Sequence, residues 1–171
     1  MCAVRTKVLE PSACTPELLE SFCSLVREGG QVNAHGLTDR VKKAFALAFV
    51  YDEKALAAIG ALKHPDTDYR ASTFEKAGIR EDPTTFPYEL GWIFVANTYQ
   101  GRKLSRMPVE VLLPLVSRKQ LYATSHVDRI RMHNTLRRYG FTQVGAPYES
   151  DMDDHKLILF LRRAPTSATK T

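Results

Sequence analysis

The residue types between positions 100 and 105 favour binding of an anion. The segment reads Gln-Gly-Arg-Lys-Leu-Ser and lies between an apolar strand pattern and a helical pattern. Main-chain N–H groups at a helix start, together with the helix dipole, attract negative charge. Gly101 lets the backbone approach a ligand closely, and Arg102, Lys103 and Arg106 add positive charge. The segment predicts a phosphate site whose natural ligand is a pyrophosphate; the alternative is a plain strand–helix unit with a basic helix start.

The basic residues of the chain are unevenly distributed. Residues 100–140 contain nine Lys and Arg and only two acids, whereas the formal net charge of the whole chain is +5. A compact basic segment suits a polyanion, which would be either a phosphate-bearing cofactor or a nucleic acid. A solvated helical face explains the same charge. Aromatic residues are not interleaved with the basic ones, so no base-stacking platform is evident and nucleic acid is the less favoured partner.

The cysteines and histidines indicate neither a disulfide framework nor a metal site. Three cysteines make an odd count without a CxxC pair, which fits a reducing cytoplasm; they are Cys2, Cys14 and Cys23. Three histidines of the C-terminal half, His126, His133 and His155, are not at metal-ligand spacing. We therefore predict no metal, and we expect Cys23 and His133 to be packed in the core.

Apolar periodicity places these residues on alternating elements. It predicts strands at 4–9, 46–51, 57–62, 88–95, 121–125, 141–145 and 157–161. Helices are predicted from Thr15-Pro16 to Gly29, at 38–44, at 104–115 and at 129–139, with a short helix at 72–76 inside a long connection. Pro108 and Pro114 should bend or shorten the helix predicted at 104–115.

The strand at 88–95 has the clearest pattern. Simple alternation places Tyr88, Leu90, Trp92 and Phe94 on one face and Glu89, Gly91, Ile93 and Val95 on the other. Trp92 is then expected in the core.

Length and composition limit which classes of protein the chain can belong to. A chain of 171 residues with 44% hydrophobic and 25% charged residues is long enough for one well-packed domain and excludes a wholly disordered chain. We expect a single domain over 1–163 and a flexible tail over 164–171. No apolar stretch is long enough to span a bilayer, and no secretory signal is evident, so a cytoplasmic location is expected.

Two segments resemble motifs of the GNAT superfamily of acyl-CoA-dependent N-acyltransferases. Glu89–Val95 followed by Gln100–Ser105 is similar to motif A, and Leu121–Phe141, which ends in Arg138-Tyr139-Gly140-Phe141, is similar to motif B. The resemblance in element order extends over most of the chain. It implies an α+β fold of three αβα layers, in which a central mixed, mostly antiparallel sheet of six to seven strands carries helices on both faces.

The resemblance also implies an activity and a set of site residues. An acyl group, acetyl by default, would move directly from acyl-CoA to an amine acceptor, with acetyl-CoA as co-substrate bound between the strands at 88–95 and 121–125. The implied CoA-binding residues are Ile93, Phe94, Val95, Gln100, Gly101, Arg102, Lys103, Leu104, Ser105 and Arg129. A homodimer is a family-wide tendency.

Glu89 is the candidate general base, acting directly or through water, because it shares the predicted strand face of Ile93 and Val95. A strand-end salt bridge accounts for Glu89 equally well. Ser125 and Tyr139 are candidate acids. The loops 31–37 and 64–87, including Tyr69, Arg70 and Glu81, are expected to frame the acceptor pocket.

The sequence departs from the motifs at four positions. Lys103 replaces the first glycine of the pyrophosphate loop and Ser105 its Gly/Ala; a side chain is tolerable there if its φ stays negative. Leu136 replaces the usual tyrosine acid, and Arg129 the usual asparagine. Two alternatives therefore stay open: a nucleic-acid-binding or nucleic-acid-modifying protein that uses residues 100–140, and a catalytically inactive CoA-binding scaffold.

Overall fold

The computed structural model describes residues 3–30 and 32–166. Cys2, Gln31 and residues 167–171, on which some of the expectations above fall, lie outside the described residues. The strands within the described part are β1 Val4–Leu9, β2 Ala46–Asp52, β3 Ala55–Lys63, β4 Tyr88–Val95, β5 Leu121–His126, β6 Thr142–Glu149 and β7 Lys156–Arg162. The helices are α1 Pro16–Gly29, α2 Leu37–Lys42, α3 Thr67–Ala77, α4 Arg106–Leu112 and α5 Ile130–Arg138.

The strands form a single mixed sheet. Their order is β1-β2-β3-β4-β5-β7-β6, and every neighbouring pair is antiparallel except β4 and β5. The parallel pair is joined only at Tyr88–Leu121 and Glu89–Tyr122, after which the strands diverge. The sheet therefore has a V-shaped gap near its centre.

Helices cover both faces of the sheet, which confirms the predicted three-layer α+β fold. On one face, α1 and α2 pack on β2 and β3 around Phe22, Val41 and Phe49. On the same face, α3 packs on β5 and β7 around Phe74 and Tyr122. The opposite face carries α4 and α5, whose core residues include Val109, Leu112 and Leu136.

Local signals explain the start and end of α1. The Thr15 hydroxyl accepts a hydrogen bond from the Leu18 N–H at 3.1 Å, and Pro16 takes the first helical position, where its missing N–H costs nothing. Gly30 ends the helix with a φ of +70°, a left-handed conformation that favours glycine. The predicted limits of this helix are confirmed.

One predicted helix is longer than expected, and another is shortened as expected. Helix α3 spans Thr67–Ala77, so the connection between β3 and β4 contains a full helix and not the short one expected at 72–76. Helix α4 is confirmed as shortened: it covers Arg106–Leu112 and continues as a 3-10 turn over Leu113–Val116, where Pro114 removes a backbone donor.

A β-bulge in β4 overturns the predicted face assignment of that strand. Gly91 lies opposite Ala61 and Phe94 opposite Ile59, so Trp92 and Ile93 together face Gly60. Trp92 has a φ of +50°. The extra residue switches the alternation, and Glu89 shares its face with Gly91, Trp92 and Phe94, not with Ile93 and Val95.

Gly60 is the residue that makes room for the bulge. A Cβ at this position would lie 2.6 Å from both Ile93 Cδ1 and Pro108 Cβ. Only glycine therefore lets the bulged strand and α4 approach β3 this closely.

Within the described part of the chain, no helix is long and apolar enough to cross a membrane.

Candidate functional site

The gap between β4 and β5 opens into a cavity of about 570 Å³. Its walls come from α1, α2, β3, α3, β4, β5, α5 and the end of β6. Glu89 and Tyr69 line it on the α1–α3 side of the sheet, whereas Leu90 and Leu136 belong to the opposite core. The cavity therefore passes through the sheet, and two ligands could meet in it from opposite faces.

Glu89 and Lys63 form an ion pair on the α1–α3 side of this cavity. Lys63 Nζ lies 3.0 Å from Glu89 Oε2, because the two residues are opposite each other on β3 and β4. The side chains are only 19% and 4% exposed, respectively. The Tyr122 hydroxyl also donates to Glu89 Oε2, at 3.4 Å. A buried carboxylate is thus held beside the gap by one cation and one phenol.

Aromatic rings surround the Lys63 ammonium group. Its nitrogen lies 4.8 Å from the centroid of the Trp92 ring and 5.9 Å from that of Tyr69. Tyr69 also interacts with the side chains of Thr73 on α3 and Thr124 on β5. Tyr69 lines the cavity and is 46% exposed, so its ring lies where the cavity meets solvent.

The charge on Glu89 makes the nearby phenols harder to ionise. The Glu89 carboxylate is the main cause that raises the pKa of Tyr69. Burial, followed by the same carboxylate, raises the pKa of Tyr122 and of Tyr148. These three tyrosines stay protonated at neutral pH, so they can donate hydrogen bonds in the cavity but cannot accept a proton as bases.

Among the described residues, none pairs as a strand with the β5-facing edge of β4 beyond the gap. After Glu89, β4 has no ladder pair with β5, while β3 pairs with its other edge at Phe94 and Val95. Ile93 and Phe94 line the cavity, but Val95 lies outside the lining and packs near Leu104. An extended ligand with amide groups could add to this edge in the manner of a strand.

The loop Gln100–Ser105 presents main-chain donors. In the described residues, the N–H groups of Gly101, Lys103, Leu104 and Ser105 have no hydrogen-bond acceptor. Gln100 fixes the loop entry, since its amide donates to Asn97 Oδ1 at 3.1 Å. The Leu104 side chain is buried in the core, so its contribution to a ligand is limited to the backbone.

The condition stated above for a side chain at position 103, a negative φ, is not met. Its φ is +60°, and Gly101 has a φ of +86°. The loop has kept a left-handed conformation that glycine adopts without cost, although position 103 carries a side chain. Left-handed residues inside a turn are a known way to form a concave row of backbone N–H groups that binds an anion.

The basic side chains near this loop have partners. Arg102 Nη1 lies 2.7 Å from Asp52 Oδ2, and its guanidinium stacks on Tyr99 at 5.4 Å from the ring centroid. Arg106 Nε lies 3.8 Å from Glu110 Oε1. Asp52 of β2 and Glu110 of α4 therefore pair with Arg102 and Arg106, so the main chain of the loop is the remaining group that could bind an anion.

The residues of α5 and of the end of β5 fall into two groups. Arg129, Leu136 and Ser125 line the cavity. His133 is buried, as expected, and its Nε2 lies 2.8 Å from the carbonyl oxygen of His126, to which it donates. Tyr139 points away: its hydroxyl donates to Glu110 on α4 at 2.5 Å, and it is absent from the cavity lining.

Lys63 and Tyr148 were not among the expected site residues. Lys63 ends a strand that the periodicity stopped at residue 62, and only the β3–β4 register places it opposite Glu89. Trp92, expected in the core, does pack on Phe22 but also lines the cavity. Of the expected acceptor-pocket residues, Tyr69 lines the cavity, whereas Arg70 and Glu81 do not.

Comparison with known proteins identifies the fold. No protein-family model and no curated protein matches the sequence. Among solved structures, the chain is similar to FeeM, an N-acyl amino acid synthase from uncultured soil microbes, with a TM-score of 0.74 and 12% identity over 97% of this chain and 93% of that one.

Two further structures give the same result. An acyl-CoA N-acyltransferase from Pseudomonas aeruginosa superposes with a TM-score of 0.63 and 16% identity, over 94% of this chain and 99% of that one. A GNAT-family acetyltransferase from Streptococcus agalactiae gives a TM-score of 0.66 and 12% identity, over 97% and 100% of the two chains. The chain thus has the GNAT fold over nearly its whole length.

Proposed function

We propose that this GNAT-fold chain is an acyl-CoA-dependent N-acyltransferase. The observation that carries the proposal is the cavity that passes through the sheet at the β4–β5 gap, with the buried Glu89 carboxylate on one side. The similarity in fold to N-acyltransferases supports it. Since fold alone does not fix function, the proposal depends on this local chemistry.

Acyl-CoA would occupy the α4–α5 side and the gap. Its pyrophosphate would accept hydrogen bonds from the N–H groups of Gly101, Lys103, Leu104 and Ser105. Its pantetheine amides would pair with the free edge of β4 near Ile93 and Phe94. This arrangement places the thioester in the gap, where a β4 N–H can stabilise the oxyanion that forms on attack.

The amine acceptor would enter from the α1–α3 side. An alkylammonium must lose a proton before it attacks, and Glu89 accepts that proton directly or through water. The amine nitrogen then forms a bond to the thioester carbon, the carbon–sulfur bond breaks, and the thiolate of CoA takes up a proton. Lys63 competes with the incoming ammonium for Glu89. When Glu89 binds the acceptor, the Trp92 ring still lies beside the ammonium group of Lys63.

The experiment is a release assay for free thiol on the purified protein. Acetyl-CoA and longer acyl-CoA thioesters are each combined with a panel of amines, and the panel includes free amino acids because one structural neighbour is an N-acyl amino acid synthase. We expect acceptor-dependent thiol release with at least one pair.

Calorimetry with the same thioesters separates the alternatives. Binding without turnover for any acceptor would support an inactive CoA-binding scaffold. If no thioester binds at about 1 mM, the upper end of ordinary Michaelis constants, the proposal is wrong. Duplex DNA binding with a steep salt dependence would instead favour the nucleic-acid alternative.

A further inference from the structure

The end of β5 and the β6–β7 loop bring together two imidazoles and a carboxylate that the proposed acyl transfer does not use. The donor atoms of His126, Asp153 and His155 all lie within 4.8 Å of one another. These histidines are not at metal-ligand spacing in the sequence. The register of β5 against β7, which pairs His126 with Leu157, is what places the loop residues beside His126.

We propose that His126, Asp153 and His155 form a binding site for Zn²⁺ or a similar borderline divalent transition metal. Two imidazoles and one carboxylate are a donor set that Zn²⁺ accepts in tetrahedral sites, with the fourth position left for water or another ligand. Imidazole nitrogens select against Mg²⁺ and Ca²⁺, which prefer oxygen donors.

The distances fit a shared ion better than a direct pair. Zn²⁺ holds N and O ligands at about 2.0–2.1 Å, so tetrahedral donors lie about 3.3 Å apart and two ligating imidazole centroids about 5 Å apart. His126 Nε2 lies 3.6 Å from Asp153 Oδ2, and the centroids of the His126 and His155 rings are 5.1 Å apart. A charge-assisted hydrogen bond between imidazole and carboxylate would be shorter, at about 2.7–2.9 Å.

The ligands are oriented by contacts of their own. Asp153 Oδ1 accepts the backbone N–H of His155 at 2.9 Å, which leaves Oδ2 directed toward His126. The His126 side chain is 9% exposed, and its carbonyl is held by His133 from α5 at 2.8 Å. Asp153 and His155 are exposed, so rotation of their side chains can close the remaining distance around an ion.

The β6–β7 loop carries further carboxylates, one of which is paired with a lysine. The β6–β7 loop also carries Asp151 and Asp154, and Asp151 forms an ion pair with Lys76 of α3 at 2.7 Å. His126 lines the same cavity as Ser150, Asp151 and Met152. A bound ion would therefore join this loop to the end of β5 at the cavity wall.

The test is Zn²⁺ titration by calorimetry of the full chain and three variants. His155→Ala and Asp153→Asn change exposed ligands, and His35→Ala is the matched control at an exposed histidine outside the cluster. We expect a single ion to bind the wild type and His35→Ala equally, and at least about tenfold weaker binding to the other two variants. At hundredfold excess over the dissociation constant, Zn²⁺ should raise the melting temperature of the wild type by about 5–10 °C.

Two results would overturn the proposal. One is Zn²⁺ affinity that is absent, or equal in all four proteins. The other is Mg²⁺ binding as strong as Zn²⁺ binding, which would indicate an unspecific acidic surface. Melting temperatures of the metal-free variants check that they fold. Neither readout depends on acyl transfer, so failure of the enzyme assay leaves this test intact.

Discussion

The two ends of the proposed ligand path are built in opposite ways. At one end, the Lys63 ammonium and the Tyr122 hydroxyl, from the strands on either side of β4, lie 3.0 and 3.4 Å from Glu89 Oε2. At the other end, the side chains of Gln100, Arg102 and Leu104 contact protein groups, and the loop Gln100–Ser105 offers main-chain N–H groups. The first region should respond to changes of side-chain chemistry, and the second to changes of backbone conformation.

The difference also concerns what each end can discriminate. A buried carboxylate with one cation beside it responds strongly to the charge and protonation of the group that approaches it. A row of N–H groups recognises any anion of suitable shape, and the polypeptide needs no particular side chains to do so. We therefore expect acceptor specificity at the side-chain end, around Glu89. At the backbone end, the loop Gln100–Ser105, we expect recognition of the part common to all CoA thioesters.

The largest expected effect is at the side-chain end. Glu89→Gln keeps the volume and an acceptor for Lys63 but removes the base, so kcat should fall by about 100-fold or more while CoA affinity is unchanged. Steady-state thiol release and calorimetry measure the two quantities. Glu75→Gln, the same change at an exposed position of α3, is the control. Activity of Glu89→Gln within threefold of wild type would rule out Glu89 as the base.

The tyrosines around Glu89 predict a stability that falls in alkali. Their raised pKa keeps them protonated in the folded state, whereas in the unfolded chain they ionise near the ordinary value of 10.0. Above pH 10 the folded state binds more protons, so the free energy of unfolding should fall by about 1.4 kcal/mol per pH unit for the buried Tyr122, and by less for Tyr69 and Tyr148, which solvent partly screens.

Urea denaturation at several pH values between 8 and 11 measures this slope. Tyr122→Phe removes one of the phenols, and its stability should fall less steeply than that of the wild type. Parallel slopes for the two proteins would show that Tyr122 ionises in the folded state as it does in the unfolded chain.

At the backbone end, Gly101→Ala should weaken CoA binding by about tenfold, because the change disfavours a φ of +86° and shifts the loop. A Cβ at Gly101 meets no atom within 4 Å, so steric overlap cannot account for the effect. Gly78→Ala is a matched control, since Gly78 has a φ of +75° and open space but ends α3. Calorimetry should show normal CoA affinity for the control, and equal weakening in both variants would contradict a loop-specific role.

The smallest expected effect separates charge from conformation at Lys103. Lys103→Gly and Lys103→Ala lose the same charge, but only glycine removes the cost of a φ of +60°, so the glycine variant should be more stable by about 1 kcal/mol. At Lys43, where φ is −89°, the order should reverse because glycine loses more entropy. Chemical denaturation measures both pairs. A more stable alanine variant at position 103 would mean that the loop relaxes.

Several features of the fold were open to prediction because their causes are local. The Thr15-Pro16 helix start, the Gly29-Gly30 end and the strand at 88–95 follow from capping and periodicity within a few residues. The position of the loop Gln100–Ser105 also follows, since its glycine and basic residues are adjacent in the sequence, between a strand and a helix. The roles of individual residues there stay predictions.

Local pattern was insufficient wherever a distant residue decided the geometry. Helix α3 has a mixed sequence with little amphipathic periodicity, and its packing of Phe74 on Phe86 and Tyr122 stabilises it. The β4 bulge depends on Gly60 of β3, and it moved Glu89 to the face opposite Ile93 and Val95. The alternation of residues within β4 alone does not indicate the contact between the bulge and Gly60.

The sequence by itself determined the order of elements, the alternation of core positions outside β4 and the location of the loop that offers main-chain donors. Short-range sterics and hydrogen bonding set these features, and they act between residues near one another in the chain. Only the tertiary structure decided that Lys63 meets Glu89 and that His126 lies beside Asp153 and His155. Strand register sets those contacts, and register results from the packing of the whole sheet.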